Sequence, residues 1–398
     1  MNANHMLRVF SITFAAPCPS APLRERAIAF PEPFGYAQDK LNRGERFHFS
    51  EGNPGHAFQL LIRIINRLLL LIVLSSSLFA QSLEPELLPD LRSDFLQQTE
   101  FTSTTTAHIN SYLQYYSLPD SVDYRYRSIS ADTFQLAVQI FSPPDPTGSM
   151  LIVHGYNAHA GLQQQLIRHL LDMKMRVILY DQPGHGLSTG KTASIAEFDV
   201  YGEALQSVIN ATSDYLTEPQ LMMGHSMGCA VILTWLQENP QTAFEDYIFL
   251  APLVKHRFWQ LGKLGTKVIS PMRNSIPRRF KASSSDTAFV SFWRKDPLMG
   301  RKVPLEWVQA LYRWYESVKS VQQFPGKLLV VQGDKDRVVD WRFNLPFLAE
   351  RFSGERLYLL EGAMHQLQNE GLPLRKRVLQ QIGFWVQDKQ EELVEVLE

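Results

Sequence analysis

Seven short apolar runs, separated by longer amphipathic stretches, constrain the fold of this chain more than any other sequence feature. The runs cover residues 134–141, 150–153, 175–180, 220–223, 247–250, 327–331 and 356–360. The run 134–141 shows partial alternation of apolar and polar residues, whereas continuous apolar runs of four to six residues, such as the others, are typical of strands that are buried on both faces of a parallel sheet. The sequence therefore predicts an α/β fold with a mostly parallel, doubly covered sheet.

The stretches between these runs are long enough to form the helices that connect parallel strands. We predict helices over residues 160–174, 193–215, 227–239, 341–352 and 372–390. In sheets of this kind the reacting groups collect at the carboxyl ends of the strands. Reactive residues that directly follow an apolar run are therefore the first candidates for a functional site.

One segment, residues 253–322, interrupts the alternation of strands and helices. It is rich in aromatic and basic residues, and its pattern favours helices. Because the segment lies between two predicted core strands, we expect a helical cap over the active end of the sheet. The alternative is an ordinary helical subdomain that has no part in substrate choice.

The charges and cysteines exclude several classes of protein. The 398 residues include 39 Lys and Arg and 40 Asp and Glu, so the net charge is −1 and nothing favours a nucleic acid partner. The two cysteines, Cys18 and Cys229, fit neither a disulfide framework nor a C-x-x-C metal site. His154 and His159 have no accompanying carboxylate or thiol cluster, so we predict no metal and no cofactor.

The first eighty residues differ from the rest of the chain. Residues 1–55 are rich in Pro, Gly and Arg, and we interpret them as a disordered part of a leader that ends at residue 80. Arg63 and Arg67 precede thirteen mostly apolar residues, 68–80, a pattern typical of a signal peptide. An uncleaved membrane anchor is the main alternative.

This leader sets the expected location of the protein. A signal or anchor at about residues 60–80 predicts the cell envelope, with the domain of residues 81–398 periplasmic, secreted or held at the membrane. If the leader has no such function, the same domain is cytoplasmic. Membrane association is therefore part of the prediction.

A G-x-S-x-G motif carries the first candidate for chemistry. Residues 224–228 read Gly-His-Ser-Met-Gly, between the apolar run 220–223 and a second apolar stretch. This strand–turn–helix context is what a nucleophile elbow requires, because the turn exposes the serine at the top of the sheet. We therefore predict that Ser226 is a nucleophile.

A serine nucleophile needs a histidine base. Only His256 and His365 follow Ser226 in the sequence. His256 falls in the predicted cap, whereas His365 directly follows the last predicted strand. Elimination therefore favours His365 as the general base and acid.

The histidine in turn needs a carboxylate to orient it, and three aspartates follow the run 327–331. We favour Asp336, with Asp334 as the second choice, and expect Asp340 to cap the next helix. The order serine, acid, histidine is that of an α/β-hydrolase triad. Two backbone N–H groups must also bind the oxyanion, and we predict those of Met227 and Tyr156.

Five motifs in the same order resemble one known family. They are Val153-His-Gly155, Tyr180-Asp-x-Pro-Gly-His-Gly-x-Ser188, Gly224-His-Ser-Met-Gly228, Gly333-x-x-Asp336 and Glu361-Gly-Ala-x-His365. Over about residues 120–390 the chain resembles the monoacylglycerol lipase and lysophospholipase branch of the α/β-hydrolases, also called serine aminopeptidase S33-like. The resemblance implies a triad of Ser226, Asp336 and His365, with Tyr156 and Met227 in the oxyanion hole.

Two further features bear on this resemblance. The segment 296–298 looks like the Asp-Pro-Leu stretch of the family's cap. His159 matches the last residue of the family's His-Gly-x-x-Glu-His pattern, but Ala158 stands where the family often has an acidic residue.

These observations predict a serine ester hydrolase that works through an acyl-enzyme. The aromatic cap suggests an amphiphilic or lipid ester, a lysophospholipid or a monoacylglycerol, with Trp293 and Trp314 as substrate-binding residues. The alternatives are an acyltransferase or small-ester esterase of the same fold. A non-catalytic envelope protein that binds lipid is a third option.

Overall fold

The computed structural model describes residues 83, 85–244, 246–279 and 281–397, which belong to one compact unit, Ala80–Glu398. The predicted leader, with its signal peptide or anchor, lies outside the described residues and stays a prediction. Within the described part of the chain, no helix is both long and apolar enough to cross a membrane.

Eight strands form the central sheet, and two more pair separately. The strands are β1 Asp123–Ala131, β2 Phe134–Ser142, β3 Ser149–Val153, β4 Arg176–Tyr180, β5 Gln220–His225, β6 Asp246–Leu250, β7 Ser275–Pro277, β8 Lys302–Pro304, β9 Lys327–Gly333 and β10 Glu355–Leu360. The sheet order is β1-β2-β4-β3-β5-β6-β9-β10, and β7 pairs with β8. Pairing is antiparallel from β1 to β2 to β4 and parallel in the rest of the sheet. The predicted α/β class and mostly parallel sheet are confirmed.

Ten α-helices accompany the strands in the described residues. They are α1 Leu88–Gln97, α2 Ala107–Tyr115, α3 Gln164–Asp172, α4 Asp199–Ala211, α5 Met227–Glu238, α6 Trp259–Ile269, α7 Thr287–Lys295, α8 Leu305–Val318, α9 Trp341–Ala349 and α10 Leu372–Leu397. Short 3₁₀ helices cover Pro85–Leu87, Ala160–Gln163, Ser213–Tyr215 and Leu367–Asn369. The predicted crossover helices correspond to α3, α4, α5, α9 and α10, whereas α1, α2 and β1 were not predicted.

The central strands are buried along nearly their whole length, and their middle residues are apolar, because helices cover both of their faces. In β3, Leu151 and Val153 enter the core that contains α4 and α5, whereas Met150 and Ile152 enter the core that contains α3 and α10. Burial of one such side chain stabilises the fold by about 1.5–3 kcal/mol. The two cores therefore fix the sheet against slippage and hold the strand ends in place.

The segment predicted as a cap contains α6, α7, α8 and the small β7–β8 sheet, between β6 and β9. On the body of the protein, β3, β5, β9 and β10 run parallel. Their carboxyl ends therefore lie at one edge of the sheet, where the predicted reactive residues follow.

Candidate active site

Ser226 lies in a tight turn between β5 and α5. Its backbone has φ +52° and ψ −113°, a left-handed conformation that costs a non-glycine residue about 1–3 kcal/mol. Two backbone hydrogen bonds hold the turn: Ser226 N–H donates to Leu250 O at 2.9 Å, and Leu253 N–H donates to Ser226 O at 3.1 Å. The surrounding strand ends therefore impose the strained conformation.

The two glycines of the motif allow backbones to approach closely. A Cβ atom at Gly228 would lie 2.0 Å from Val153 O, and one at Gly224 would lie 2.7 Å from Cys229 N. A side chain at Gly228 would force α5 away from β3, and one at Gly224 would force α5 away from β5. The glycines thus hold the start of α5 directly against the end of β3.

The structure brings Ser226, His365 and Asp336 into one hydrogen-bonded chain. His365 Nε2 lies 3.0 Å from Ser226 Oγ, and His365 Nδ1 lies 2.8 Å from Asp336 Oδ2. All three residues are buried. With Nδ1–H donated to the carboxylate, Nε2 is free to accept the serine proton.

The other two aspartates of this loop do not contact His365. Asp334 accepts a hydrogen bond from Gly362 N–H at 2.7 Å and lies within 3.3 Å of the Lys335 ammonium. Asp340 occupies the N-cap position of α9, but its side chain makes no capping hydrogen bond. The geometry therefore selects Asp336 from the three candidates.

The Asp336 carboxylate is held in its charged form. Burial raises its pKa, but the nearby His365 and hydrogen bonds from His365, Val338 and Gln332 outweigh burial, so the pKa is lowered. Val338 N–H donates to Oδ1 at 2.7 Å, and Gln332 Nε2–H donates to Oδ2 at 3.1 Å. A carboxylate fixed in this way can orient the imidazole and stabilise an imidazolium.

The two backbone N–H groups predicted to bind the oxyanion belong to Met227 and Tyr156, and this role stays a prediction. Met227 is the first residue of α5, so its N–H has no carbonyl partner within the helix. Gly155 O accepts a turn hydrogen bond from Ala158 N–H at 3.1 Å, and Tyr156 lies inside this turn. A Cβ atom at Gly155 would lie 3.3 Å from Ser226 Cβ, so this loop closely approaches the serine.

His225, which the sequence analysis assigned no role, contacts the histidine loop. Its Nε2–H donates to the backbone oxygen of His365 at 3.0 Å. Burial and the nearby His365 lower the pKa of His225 to about 3, so this imidazole is neutral. His225 therefore positions the main chain of His365. Its place beside Ser226 in the G-x-S-x-G motif was the sequence feature that could have indicated this role.

The loop that carries His365 is also tied to the cap. Glu370 accepts a hydrogen bond from Ser285 N–H at 2.7 Å and another from Met364 N–H. Gln366 N–H donates to Ser283 O at 2.8 Å. The contacts of Ser283 and Ser285 with this loop join residues more than 80 positions apart in sequence, and no local pattern indicated them.

A second buried histidine–carboxylate pair joins the cap to the body. His159 Nε2 lies 3.0 Å from Asp296 Oδ2, and Tyr116 Oη–H donates to Asp296 Oδ1 at 3.0 Å. Burial lowers the pKa of His159, but the Asp296 carboxylate outweighs burial, so the pKa is raised. His159 and the Asp-Pro-Leu segment had each been singled out from the sequence, but their pairing had not.

The two tryptophans predicted to bind substrate are mostly buried. Trp314 stacks on Phe198 with ring centroids 5.4 Å apart, and the Arg278 guanidinium lies 4.6 Å from the Trp293 ring centroid. The Tyr156 ring stacks on Trp307 of α8 at 3.9 Å, which anchors the proposed oxyanion loop to the cap. A role of Trp293 and Trp314 in substrate binding stays a prediction.

The described residues hold no group of three or more His, Cys, Asp or Glu side chains that could bind a metal ion. The chemistry available at the strand ends is that of a serine, an imidazole and a carboxylate in series, beside two backbone donors. Together with the mostly parallel sheet and the strained serine turn, this arrangement defines an α/β-hydrolase.

Comparison with known proteins places the chain within that class. The family model described as Serine aminopeptidase, S33 matches residues 144–371, more than half of the chain, and the chain belongs to this family of hydrolases. The human monoglyceride lipase is 27% identical over 286 residues, which cover 68% of this chain and 93% of that protein. A monoacylglycerol lipase of Mycolicibacterium smegmatis is 26% identical over 267 residues, covering 63% and 92%.

A solved structure supports the fold independently. The soluble variant of monoglyceride lipase from Saccharomyces cerevisiae, in complex with a substrate analog, aligns with a TM-score of 0.58 at 18% identity. The alignment covers 66% of this chain and 94% of that one. The predicted membership in the serine aminopeptidase S33-like branch of the α/β-hydrolases, to which the chain's similarity to monoacylglycerol lipases also points, is confirmed.

Proposed function

We propose that this protein hydrolyses a carboxylic ester of a lipid, a monoacylglycerol or lysophospholipid, through an acyl-enzyme on Ser226. The observation that carries the proposal is the position of Ser226 Oγ, 3.0 Å from His365 Nε2 in a strained turn at the end of β5. A serine held in this way can lose its proton to the imidazole as it attacks.

In the first half-reaction Ser226 Oγ attacks the ester carbonyl carbon and its proton moves to His365 Nε2. The N–H groups of Tyr156 and Met227 bind the oxyanion, where each donor contributes about 10²–10³ in rate. The intermediate then expels the alcohol, which takes the proton from His365. In the second half-reaction His365 takes a proton from water as the water attacks the acyl-serine. Collapse of this intermediate releases the fatty acid, and His365 returns the proton to Ser226 Oγ.

Two kinds of observation support the assignment of a lipid substrate. Two of the relatives, which match over 93% and 92% of their own length, are named as lipases of monoacylglycerols. The cap over the sheet edge is rich in aromatic residues, and several of its rings pack against the body, among them Trp307 and Trp314. An aromatic cap suits an acyl chain better than a charged or very small acyl group.

The test compares the full chain with its Ser226→Ala variant and a matched Ser320→Ala control, an exposed serine on the surface. Each is treated with a fluorophosphonate label and assayed on p-nitrophenyl esters of graded chain length, monoacylglycerol and lysophosphatidylcholine. We expect labelling and turnover to vanish only in Ser226→Ala, with a preference for long acyl chains.

Each alternative function has its own result in this test. Turnover confined to short soluble esters would indicate a small-ester esterase, and product esters formed with an added alcohol would indicate an acyltransferase. A folded protein that the fluorophosphonate does not label would indicate a lipid-binding protein without turnover.

The cell-envelope location is a further proposal, and it rests on residues 60–80 alone. Fusion of residues 1–80 to a reporter enzyme that is active only outside the cytoplasm tests it. Export of the reporter supports an envelope location, whereas a reporter retained in the cytoplasm contradicts it.

A further inference from the structure

The loop that carries the predicted oxyanion donor Tyr156 is held by the cap. We call residues 155–159 the oxyanion loop. The Tyr156 ring stacks on Trp307 of α8, with ring centroids 3.9 Å apart and an angle of 29° between the ring planes. The next side chain, Asn157, accepts a hydrogen bond at its Oδ1 from Gly300 N–H at 3.0 Å. Two consecutive residues of the loop therefore contact two separate parts of the cap.

The Tyr156 side chain is also held at its far end. Its Oη–H donates to Ala193 O at 2.8 Å. The segment that contains Ala193 is itself tied to α8, because Ser194 Oγ–H donates to Glu306 Oε2 at 2.7 Å. The ring thus lies between α8 and a segment that α8 also holds, so the position of α8 sets the position of the ring.

The backbone of the oxyanion loop is shaped around Asn157. This residue has φ +52°, a left-handed conformation that asparagine adopts more readily than most residues, and it is buried. A Cβ atom at Gly300 would lie 2.8 Å from Asn157 Oδ1, so the main chain of the cap closely approaches the turn 155–158. The pair of His159 and Asp296 follows directly and ties the end of the loop to the cap.

The start of the oxyanion loop reaches the nucleophile. A Cβ atom at Gly155 would lie 3.3 Å from Ser226 Cβ and 2.8 Å from His225 Nδ1. The Tyr156 N–H belongs to the planar peptide unit that joins it to Gly155, so a movement of Tyr156 also moves this donor relative to Ser226. A misplacement of about 1 Å in an active site can cost about 10²-fold in rate.

We propose that the side chains of Tyr156 and Asn157 are positioning residues, through which the cap holds the Tyr156 N–H where it binds the oxyanion. The cap then takes part in the chemical step as well as in substrate choice. This inference rests on the proposed function, because the donor that it concerns acts only in acyl transfer. A purely structural role of the same contacts would affect stability and leave kcat of the folded protein unchanged.

Variants of the full chain that keep every backbone N–H test the proposal. Tyr156→Ala removes the ring, Tyr156→Phe keeps the ring and removes only Oη, and Trp307→Ala removes the stacking partner from the cap. Asn157→Gly removes the acceptor for Gly300 but tolerates the positive φ. Each variant is assayed on p-nitrophenyl butyrate and p-nitrophenyl laurate, and its melting curve is recorded.

Tyr215→Ala is the matched control, since it also removes a tyrosine ring that packs on an aromatic side chain. Tyr215 lies 4.8 Å from Phe101 between ring centroids. Its backbone oxygen accepts a hydrogen bond from the first residue of β4, at the edge of the sheet opposite the candidate active site. We expect the parent kcat from this variant.

Tyr156→Ala should lower kcat and kcat/KM equally, by about 10- to 10²-fold and for both esters, because an oxyanion donor acts mainly in the transition state. Asn157→Gly and Trp307→Ala should each lower kcat on the order of tenfold, whereas Tyr156→Phe should keep most of the rate. The double variant of Tyr156→Ala with Trp307→Ala should lose no more than Tyr156→Ala alone, since both changes remove one contact.

A trifluoromethyl ketone provides a second measurement. Ser226 Oγ adds to its carbonyl carbon, the serine proton moves to His365, and the ketone oxygen becomes an oxyanion in the same hole. Its affinity should therefore fall in parallel with kcat/KM across the variants.

Four results would overturn the proposal. They are an unchanged kcat in folded Tyr156→Ala, or in Asn157→Gly if Tyr156→Ala does not fold; a raised KM for the laurate ester alone, which would make the ring a wall of the acyl site; losses that multiply in the double variant; and an equal loss in Tyr215→Ala. Turnover that Ser226→Ala loses and Tyr156→Ala keeps would overturn this inference and leave the proposed function intact. Turnover that Ser226→Ala keeps would overturn the proposed function, and this inference with it.

Discussion

The His365–Asp336 pair at the candidate active site and the His159–Asp296 pair beneath the cap have similar geometry but different surroundings. The nitrogen–oxygen distances are 2.8 Å and 3.0 Å, and all four side chains are buried. The second nitrogen of His365 reaches Ser226 Oγ, whereas that of His159 has no hydrogen-bond partner among the described residues. The same pair of groups is therefore placed for proton transfer in one region and for holding the cap in the other.

The largest expected difference between the two regions is in turnover. His365→Ala should lower kcat by about 10⁴- to 10⁶-fold because the serine loses its base. His159→Gln should keep kcat within about tenfold of the parent, since His159 contacts no reacting group. Ester hydrolysis rates and melting curves of both variants measure this. An equal loss of turnover in a well-folded His159→Gln variant would break the comparison.

The carboxylate of each pair provides the second test. Asp336→Asn should lower kcat by about 10⁴-fold, because an amide cannot hold the tautomer that leaves Nε2 free. The neighbouring Asp334→Asn serves as the control, for which we expect nearly the parent rate. Comparable losses in both variants would assign the orienting role to the loop as a whole and not to Asp336.

The third test concerns stability, and here we expect a large effect from the pair beneath the cap. Asp296→Ala should lower the free energy of unfolding by about 3 kcal/mol, the lower end of the range for a broken buried ion pair, because His159 can release its proton. Denaturation with urea measures this loss. Asp388→Ala, which breaks an exposed pair with Arg356, should cost less than about 1 kcal/mol and is the control.

A smaller effect should follow from the hydroxyl group that supports Asp296. Tyr116→Phe removes the donor at 3.0 Å and should cost about 1–2 kcal/mol. Tyr115→Phe changes the neighbouring ring without removing this hydrogen bond and should be nearly neutral. If the two variants unfold at the same urea concentration, the Tyr116 hydroxyl does not support the pair.

The smallest effect is in the pH dependence of stability. Because the pKa of His159 is raised in the folded state, the pair contributes fully below the unfolded pKa of about 6.5, and the contribution is lost as pH rises through the raised value. Unfolding between neutral and mildly alkaline pH should show a slope of at most about 1.4 kcal/mol per pH unit. His159→Gln should abolish this component, and an unchanged slope would show that another group causes it.

Much of the fold could be predicted because its signals are local. Short, mostly apolar runs predicted the central strands, and the amphipathic stretches between them predicted the crossover helices. The first strand, β1, was not predicted because burial alternates along its first six residues, in a Tyr-Arg-Tyr-Arg pattern that contains no continuous apolar run. Its period of two, with aromatic residues on one face, was the signal available.

At the candidate active site, the sequence by itself determined the turn that carries the serine. It also reduced the candidates for the base to two histidines and those for the acid to three aspartates, because the position of a residue after a predicted strand is a local property of the sequence. Only the tertiary structure decided that Asp336 and not Asp334 contacts His365, and that His159 contacts Asp296. His159 and Asp296 are 137 positions apart in the chain. Contacts at such separations depend on how loops and helices pack, and no periodicity along the chain encodes them.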